Sequence, residues 1–478
     1  MLLGSGQLMS ELHFVFLQGM PSRFFRDIAK DLCARGCKVT GINLCVGDWI
    51  FWRGPNRVNY RGKISDWSQF FGQFLARNRV TDVVLLGEQR SYHKLAIAVA
   101  KAQGVRVTVT DFGYLRPDWI TLEPDGMSGA SRFPRDPTQI LRLGASVPKA
   151  DLAARYADSF WKMAVGDLLY SFSNVFLFYL FPHYRRGDKR ANPFVYFPAM
   201  GWRLLTAERG QRRAQERFAS LASRKTRYFV FPLQLEHDFQ IVAYSPFDSQ
   251  RDAIRLVVES FAKHADAGTR LVLKVHPWDP GLDKWERYAV QCAERLGIKE
   301  RIVFLDGGNL DKIIPGSSGM ITVNSTSGLR ALQLGCPVKV LGEAIYDVAG
   351  LTHQGKLDNF WKEARRPDPA LVDAFNNAIA AAIQIRGVFF SEPGLSAAAR
   401  TAAERLFHRT VGVPPANVAP LPWRWSPWPS APWNTLRNLD RERSSDLVGD
   451  VSPNDRAGSK GTDDHGPMNQ VDNGFTNG

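Results

Sequence analysis

The feature that most constrains this chain is a repeated alternation of short apolar runs with helical segments. The strand-like runs span residues 13–18, 38–44, 81–86, 105–110, 228–231, 270–275, 302–305, 320–323 and 337–341. Helical patterns separate most of these runs, and a strand followed by a helix and another strand is the building unit of a parallel sheet. The alternation therefore predicts an α/β fold in which parallel strands end at a common edge.

The length of the chain and two changes in its pattern predict three parts. At 478 residues, the chain is too long for one small core. The alternation fills residues 12–225, with an irregular helical insertion from about residue 136, and starts again over residues 226–400. Over residues 410–478 a Pro- and Trp-rich stretch and a polar end replace it, which predicts a disordered tail. We therefore expect two α/β domains followed by a tail.

Three polar clusters follow strand-like runs of the second half, the position at which open α/β sheets bind ligands. They are Gln234, Glu236, His237, Asp238 and Gln240; then Lys274, His276 and Pro277; then Asn324, Ser325, Thr326, Ser327 and Gly328. For the first cluster taken alone, a solvated turn is the alternative. Because parallel strands end at a common edge, we predict that all three clusters line a single crevice.

The residue types in these clusters suit the transfer of a group from a phosphate. Asn324–Gly328 stands at a strand-to-helix junction and offers hydroxyl and backbone N–H groups to a phosphate. Lys274 and His276 can neutralise a departing phosphate, although a lone His near a strand end is more often structural. Glu236 or Asp238 can attack a sugar carbon or take a proton, and their spacing does not decide which. Since the phosphate already has cationic and helix-end partners, we predict no catalytic metal and no cofactor.

Two polar stretches of the first half are further candidates. The loop of residues 18–22 presents backbone N–H groups and a helix N-terminus suited to an anion, without matching a dinucleotide or P-loop motif. Residues 111–123 follow a strand-like run and are dense in aromatic and charged side chains. They predict either an ordinary surface loop or a substrate-facing segment, and the sequence favours neither.

The net charge of +14 favours an anionic partner, but charge alone does not choose among nucleotide, acidic sugar, lipid and nucleic acid. Basic residues are scattered and no recognition motif is present, so we expect no nucleic-acid partner. The five cysteines lack the pairing and nearby histidines of a zinc site, which favours reduced cytosolic thiols. With no convincing signal peptide, we expect a cytoplasmic protein.

One apolar segment suggests contact with a membrane surface. Residues 168–181 are apolar and aromatic, but they are interrupted by Ser and Asn and are short for a membrane span. The basic stretch 183–190 follows directly. A charge run is usually only a solvated face, but this order is also typical of a peripheral contact with anionic lipid.

The motifs together resemble the capsule polysaccharide biosynthesis/export family. The resemblance rests on Gln234-x-Glu236-x-Asp238-x-Gln240, Lys274-x-His276-Pro277 and Asn324-Ser-Thr-Ser-Gly328, and it covers roughly residues 12 to 400. Residues 113–123 (GYLRPDWITLE) resemble the S-type branch in particular. The resemblance implies two Rossmann-like domains that face a central cleft, the GT-B glycosyltransferase arrangement, with His237 standing where a smaller residue is expected.

The same resemblance implies a retaining glycosyltransferase. It would move β-Kdo, the acidic sugar 3-deoxy-D-manno-oct-2-ulosonic acid, from CMP-β-Kdo to phosphatidylglycerol or its lyso form, starting the capsule's glycolipid linker. By motif, Asp238 is the nucleophile, Glu236 the second carboxylate, and His276 and Lys274 face the CMP phosphate. Gln234, Gln240, Pro277 and Asn324–Gly328 are assigned to the nucleotide sugar, with Ser325, Thr326 and Ser327 binding the nucleotide. The residues assigned to the acceptor side are Gly19, Ser22, Arg90, Arg116 and Glu123.

The implied partners are CMP-Kdo, an anionic lipid acceptor, the surface of the inner membrane, a C-type Kdo transferase and the capsule export complex. Two alternatives remain open. One is a transferase of the same architecture that uses another CMP-sugar, such as CMP-sialic acid. The other is a non-catalytic glycolipid-binding component of capsule export.

Overall fold

The computed structural model describes residues 12–187 and 190–413, and its elements follow the alternation seen in the sequence. The strands are β1 (His13–Leu17), β2 (Lys38–Asn43), β3 (Arg57–Asn59), β4 (Asp82–Leu86), β5 (Arg106–Phe112), β6 (Trp119–Pro124), β7 (Tyr228–Pro232), β8 (Arg270–Lys274), β9 (Ile302–Leu305), β10 (Gly319–Thr322), β11 (Val338–Val340) and β12 (Gln384–Arg386). The α-helices are α1 (Phe24–Ala34), α2 (Val46–Trp52), α3 (Ile64–Arg77), α4 (Ser91–Ala102), α5 (Pro137–Ala145), α6 (Phe160–Phe176), α7 (Pro193–Ser223), α8 (Phe239–Tyr244), α9 (Gln250–His264), α10 (Trp285–Arg295), α11 (Leu310–Ile313), α12 (Thr326–Gln333), α13 (Leu357–Glu363), α14 (Pro369–Ala382) and α15 (Gly394–Phe407).

The strands form two sheets with the same internal order. The first sheet runs β3-β2-β1-β4-β5-β6-β12 and the second runs β11-β10-β7-β8-β9. In each, the first strand along the chain lies inside the sheet. The chain adds two strands on one side of it before it adds the remaining strands on the other side. This is the doubly wound Rossmann order, with a switch point beside the first strand. The predicted pair of Rossmann-like layers is confirmed.

Burial explains why the strands read as continuous apolar runs. Strands β1, β4 and β7 are buried at every position, because helices cover both faces of each sheet. The pairs among β1 to β5 and among β7 to β11 are parallel. The carboxyl ends of neighbouring strands therefore meet at one edge of each sheet.

Strand β6 lies within residues 111–123, for which the sequence predicted either a surface loop or a substrate-facing segment. It pairs antiparallel with β5, and four of its six residues are buried. The intervening segment, residues 113–118, forms the tight connection between the two strands. Neither the surface-loop nor the substrate-facing prediction anticipated that residues 119–123 belong to the sheet.

The end of the described chain returns to the first sheet. Strand β12 pairs antiparallel with β6, and α15 packs against α1. Residues 384–400, which the sequence division assigned to the second domain, thus complete the first layer. The tail predicted from residue 410 lies outside the described residues from residue 414 onwards. Within the described part of the chain, no helix combines the length and apolarity needed to cross a bilayer.

Candidate active site

The carboxyl edges of the two sheets face each other across a cleft. Gln89, just after β4, donates from Nε2 to the hydroxyl of Tyr244 at the end of α8, over 2.6 Å. The Tyr244 hydroxyl in turn donates to Glu88. At a second point between the edges, the charge of Asp111, from the end of β5, acts on the carboxyl of Asp238, which follows β7. Both edges therefore contribute to one site.

Asp238 begins helix α8 and caps it. Its Oδ1 accepts from the backbone N–H of Gln240 over 2.9 Å. Burial raises the pKa of this half-buried carboxyl, the hydrogen bonds from Gln240 and from the Gln234 side chain oppose the rise, and the charge of Asp111 adds to it. A carboxylate held in this way is oriented and incompletely solvated.

A pair of amide side chains joins the first polar cluster to the third. Gln234 Nε2 donates to Asn324 Oδ1 over 3.0 Å, and the backbone N–H of Asn324 donates back to Gln234 Oε1 over 3.2 Å. Asn324 Nδ2 also donates to the carbonyl of Gln240 over 2.8 Å. Because β7 and β10 are neighbours, these buried amides tie the two strand ends into one surface. The predicted meeting of these clusters is a feature of the structure.

Glu236 and Asp238 have different surroundings. Glu236 Oε2 accepts from the backbone N–H of Gln250 over 2.9 Å, at the first turn of α9. A carboxylate in this position stabilises the helix N-terminus. The contact draws Glu236 towards α9, whereas Asp238 interacts with Asp111 on the opposite edge. The geometry therefore distinguishes two carboxylates that the sequence spacing left equivalent.

His276 is a neutral hydrogen-bond donor in this site. Its Nδ1 accepts from the backbone N–H of Trp278 over 3.1 Å, so the proton of the neutral ring resides on Nε2. Burial, together with the smaller effects of the charges of Lys274, Arg116 and His237, lowers the pKa of His276 to about 4. His276 thus offers an N–H group to a phosphate but little positive charge near neutral pH.

Lys274 is the cationic partner at the end of β8. The side chain is buried, and its Nζ donates to the carbonyl of Val275 over 3.3 Å. Burial, together with the smaller effect of the Arg203 charge and against the opposing effect of Asp306, lowers the pKa of Lys274 to about 8. A lysine with this pKa is charged at neutral pH and gains a partner when an anion binds. Pro277, next to His276, is exposed on the same turn.

The third cluster forms the N-terminus of α12. Ser325 Oγ accepts from the backbone N–H of Ser327 over 3.2 Å and from its hydroxyl over 3.0 Å. Thr326 stands beside them in the first turn. A Cβ atom at Gly328 would lie 2.3 Å from the hydroxyl oxygen of Tyr346, so this position admits only glycine without a shift. The helix end presents hydroxyl and N–H groups at the cleft edge.

Two of the five predicted acceptor-side residues flank Asp111. Burial raises the pKa of Asp111, a backbone hydrogen bond from Phe112 lowers it, and the guanidinium groups of Arg90 and Arg116 lower it further. Arg116 is exposed to solvent, and its charge also acts on His276. These two arginines therefore belong to the cleft.

The other three predicted acceptor-side residues, Gly19, Ser22 and Glu123, are not among the groups that shift the pKa of Asp111. Gly19 and Ser22 line a small cavity with Asp48 and Tyr170, and no residue of the three polar clusters is among its lining residues. The charge of Arg90 acts on Asp48 of this cavity as well as on Asp111. Glu123 is fully buried in β6, where Tyr114 donates to it over 2.6 Å and Ser131 donates to its other oxygen. The acceptor-side assignment of Glu123 is corrected, because both carboxylate oxygens are engaged inside the fold.

Sequence reasoning assigned no role to several polar groups of the cleft. Asp111 is the sixth residue of β5, and Glu88 lies two residues after β4. The sequence placed Asp111 at the end of a strand-like run but favoured no role for the stretch that it begins. Burial raises the pKa of Glu88 to about 7, against the hydrogen bond from Tyr244. Burial also raises the pKa of Glu343 to about 7, with Arg135 opposing it. In the described residues, no group of three or more His, Cys, Asp or Glu side chains has the arrangement of a metal site.

The family of the chain follows from comparison with known proteins. The family model described as "Capsule polysaccharide biosynthesis protein" matches residues 81–390, more than half of the chain and all three polar clusters. The chain belongs to this family. The match excludes Gly19 and Ser22, and it includes Arg90, Arg116 and Asp111.

Relatives of similar length carry names connected with capsule polysaccharide. The capsule polysaccharide modification protein LipB of Neisseria meningitidis serogroup B is 30% identical over 406 residues, covering 80% of this chain and 93% of that protein. The capsule polysaccharide export protein KpsS of Escherichia coli is 28% identical over 393 residues, covering 80% of this chain and 98% of that protein. Among solved structures, the β-Kdo 2,7 transferase of Thermosulfurimonas dismutans KpsC is similar at 14% identity and a TM-score of 0.41, covering 83% of this chain and 99% of that one.

Proposed function

We propose that this protein is a retaining glycosyltransferase that moves β-Kdo from CMP-β-Kdo to phosphatidylglycerol or its lyso form. The observation that carries the proposal is the cleft itself: the oriented carboxylate of Asp238 shares it with Lys274, His276 and the serine-capped end of α12. Membership of the capsule polysaccharide biosynthesis family supports a role in building a capsule glycan. The identity of donor and acceptor rests on the resemblance of the motifs to the S-type branch.

In the first step, a carboxylate oxygen of Asp238 bonds to the anomeric carbon of Kdo as the bond from that carbon to the CMP phosphate oxygen breaks. The bonding electrons leave with the phosphate. Lys274 supplies positive charge to the phosphate, and His276 donates from Nε2. The hydroxyl and N–H groups of Ser325–Ser327 hold the nucleotide at the end of α12.

In the second step, the acceptor hydroxyl attacks the same carbon from the side opposite Asp238, as the bond between that carbon and the Asp238 oxygen breaks and its electrons return to the carboxylate. The two inversions together retain configuration. Its proton requires a base close to Asp238. We assign this role to Asp111 rather than to Glu236, because Asp111 acts on Asp238 across the cleft whereas Glu236 caps α9. Arg116 and Arg90 beside Asp111 suit an anionic acceptor head group.

The proposal includes a place of action. The enzyme would work at the cytoplasmic face of the inner membrane, with a C-type Kdo transferase extending its product and the capsule export complex using it. No cofactor or catalytic metal enters these steps. Both substrates and both products of this reaction bear negative charge, in keeping with the chain's net charge of +14.

The test is incubation of the purified protein with CMP-Kdo, generated in situ, and a fluorescent lysophosphatidylglycerol, followed by mass analysis of the product. We expect a product heavier by one or more Kdo residues, and none with Asp238→Ala. CMP-sialate supplied in parallel distinguishes the other CMP-sugar transferase. Full transfer by Asp238→Ala would remove the proposed nucleophile, and absence of transfer with every donor would favour a glycolipid-binding component of export.

A further inference from the structure

Helix α6 packs against the protein with its polar face. Its inward residues recur at helical spacing: Gly166 is so close to the chain that a Cβ atom there would lie 2.5 Å from the carbonyl of Pro21, and Tyr170 donates to Asp48 over 3.0 Å. One turn later, Asn174 Oδ1 accepts from the backbone N–H of Gly47 over 2.9 Å. These contacts fix the orientation of the helix.

The outward face of α6 is apolar. Trp161, Val165, Leu168 and Phe176 follow one another at helical spacing, with the half-buried Phe172 completing the stripe. Trp161 is 70% exposed and Phe176 is 62% exposed. A surface helix of a soluble domain normally has the opposite arrangement, because its apolar stripe faces the core. The amphipathicity of α6 is therefore inverted.

The first half of α7 extends the same surface. Phe194 and Trp202 are exposed, the latter at 70%. The Phe194 ring lies 5.4 Å from the ring of Phe172 and 6.0 Å from that of Phe176, so the two helices share one continuous patch. We call the exposed residues Trp161, Val165, Leu168, Phe176, Phe194 and Trp202 the docking face. Continuous apolar patches of this kind indicate an interaction site, whereas single exposed apolar residues do not.

Charge distinguishes among the partners that such a patch can have. About two to three turns beyond Trp202, the exposed arginines Arg209 and Arg212 continue the outward side of α7, with Arg212 3.9 Å from the carboxylate of Glu208. The exposed Arg185 follows α6 in the connection between the helices. Aromatic and aliphatic side chains bordered by arginines are the composition of helices that lie in the interface of an anionic bilayer.

We propose that the docking face inserts into the surface of a bilayer containing anionic lipid. The inserted helix then also reaches the site, because Phe160 at its N-terminus stacks on Trp278 with ring centroids 5.0 Å apart, two residues after His276. Bilayer docking thus sets the cleft beside the lipid surface. The inference rests on the proposed function only for the identity of the acceptor, since binding to vesicles needs neither donor nor transfer.

The test is sedimentation of the full chain with vesicles of phosphatidylcholine and phosphatidylglycerol in equal parts, and with vesicles of phosphatidylcholine alone. We expect binding to the anionic vesicles. Phe176→Glu combined with Trp202→Glu should weaken it at least about tenfold, because two large apolar groups no longer insert. Arg209→Ala should weaken it about fivefold, and only on anionic vesicles. Leu256→Glu, at an exposed apolar position of α9 outside the docking face, is the matched control and should change it less than about twofold.

Two outcomes would overturn the inference. The first is equal vesicle binding by the wild type and the Phe176→Glu, Trp202→Glu double variant. The second is a wild-type dimer that this double variant converts to a monomer without loss of vesicle binding, which would make the docking face an interface between two copies. Transfer to a short-chain, water-soluble acceptor separates this question from catalysis. The docking-face variants should retain transfer to this soluble acceptor. Asp238→Ala should lose that transfer and keep vesicle binding.

Discussion

The two edges of the cleft are built in different ways. On the second sheet, amides and helix caps hold the polar groups: Gln234 pairs with Asn324, and Asp238 and Ser325 each cap a helix. On the first sheet the groups are charged: the positive charges of Arg90 and Arg116 act on the carboxyl of Asp111 and lower its pKa. The contrast indicates a division of work, in which a rigid edge orients the donor and a charged edge receives an anionic acceptor.

The largest expected effect is at Asp238, where one substitution can separate the side chain's role as helix cap from its proposed role as nucleophile. Asn caps helices about as well as Asp. Asp238→Asn should therefore fold with a melting temperature close to that of the wild type, yet lose at least about a thousandfold in transfer rate, because an amide oxygen is a poor nucleophile. Product formation and thermal unfolding are measured on the same preparation. Glu236→Gln is the control, and an equal loss of transfer there would contradict the distinction between the two carboxylates.

The division of work predicts different kinetic effects at the two edges. Arg116→Ala should raise the KM for the lipid acceptor roughly tenfold or more, as expected for loss of a hydrogen bond to a charged group, while the Kd for CMP changes less than about twofold. Because Arg116 is exposed, the substitution should leave the fold intact. Steady-state kinetics and calorimetry with CMP supply the two values. Equal changes in both would mean that the first edge also binds the donor.

The rigid edge should bind the nucleotide in a pH-dependent manner through Lys274. The pKa of about 8 in the free protein means that the lysine is charged below pH 8, and phosphate binding raises this pKa. The affinity for CMP should thus be greatest below pH 8 and fall as the pH rises through that value, by up to about tenfold per pH unit. Lys274→Met should bind CMP more weakly and remove the fall. Affinity that is independent of pH from 7 to 9 in the wild type would exclude Lys274 as the charged partner.

The smallest expected effect concerns the cap of α12. Ser325→Ala removes the acceptor for the Ser327 N–H, which should lower the free energy of unfolding by about 1 kcal/mol. Ser327→Ala keeps the cap and removes only a hydroxyl, so it should unfold close to the wild type. Denaturant titration of both variants compares them. If Ser327→Ala is the less stable of the two variants, the hydrogen bond between the two hydroxyls stabilises the N-terminus of α12 more than the cap does.

The same contrast explains what could be predicted from the sequence. The groups of the second edge are nearly consecutive after β7, β8 and β10, so strand position and composition identified them. The groups of the first edge come from separate loops, and Asp111 stood in a stretch with no favoured interpretation. Glu123 was misassigned because its strand was not recognised. Four consecutive residues of β6 are buried, so the strand lacks the alternation of apolar and polar residues that would have identified it.

Other features depend on tertiary contacts that no local pattern encodes. The pairing of β12 with β6 joins residues more than two hundred and fifty positions apart. The bond from Tyr244 to Glu88 likewise crosses between the sheets. The apolar character of α6 was evident in the sequence. Its outward orientation depends on the contacts of Gly166 with the loop after β1 and of Tyr170 and Asn174 with the first turn of α2.

The central claim, that Asp238 carries the sugar between donor and acceptor, is tested most directly by trapping the intermediate. The protein is incubated with CMP-Kdo without acceptor, quenched in acid, digested and analysed by mass spectrometry. The account predicts one added Kdo on the peptide that contains Asp238 and none in Asp238→Asn. Kdo attached to a different residue, or a product of inverted configuration, would contradict it.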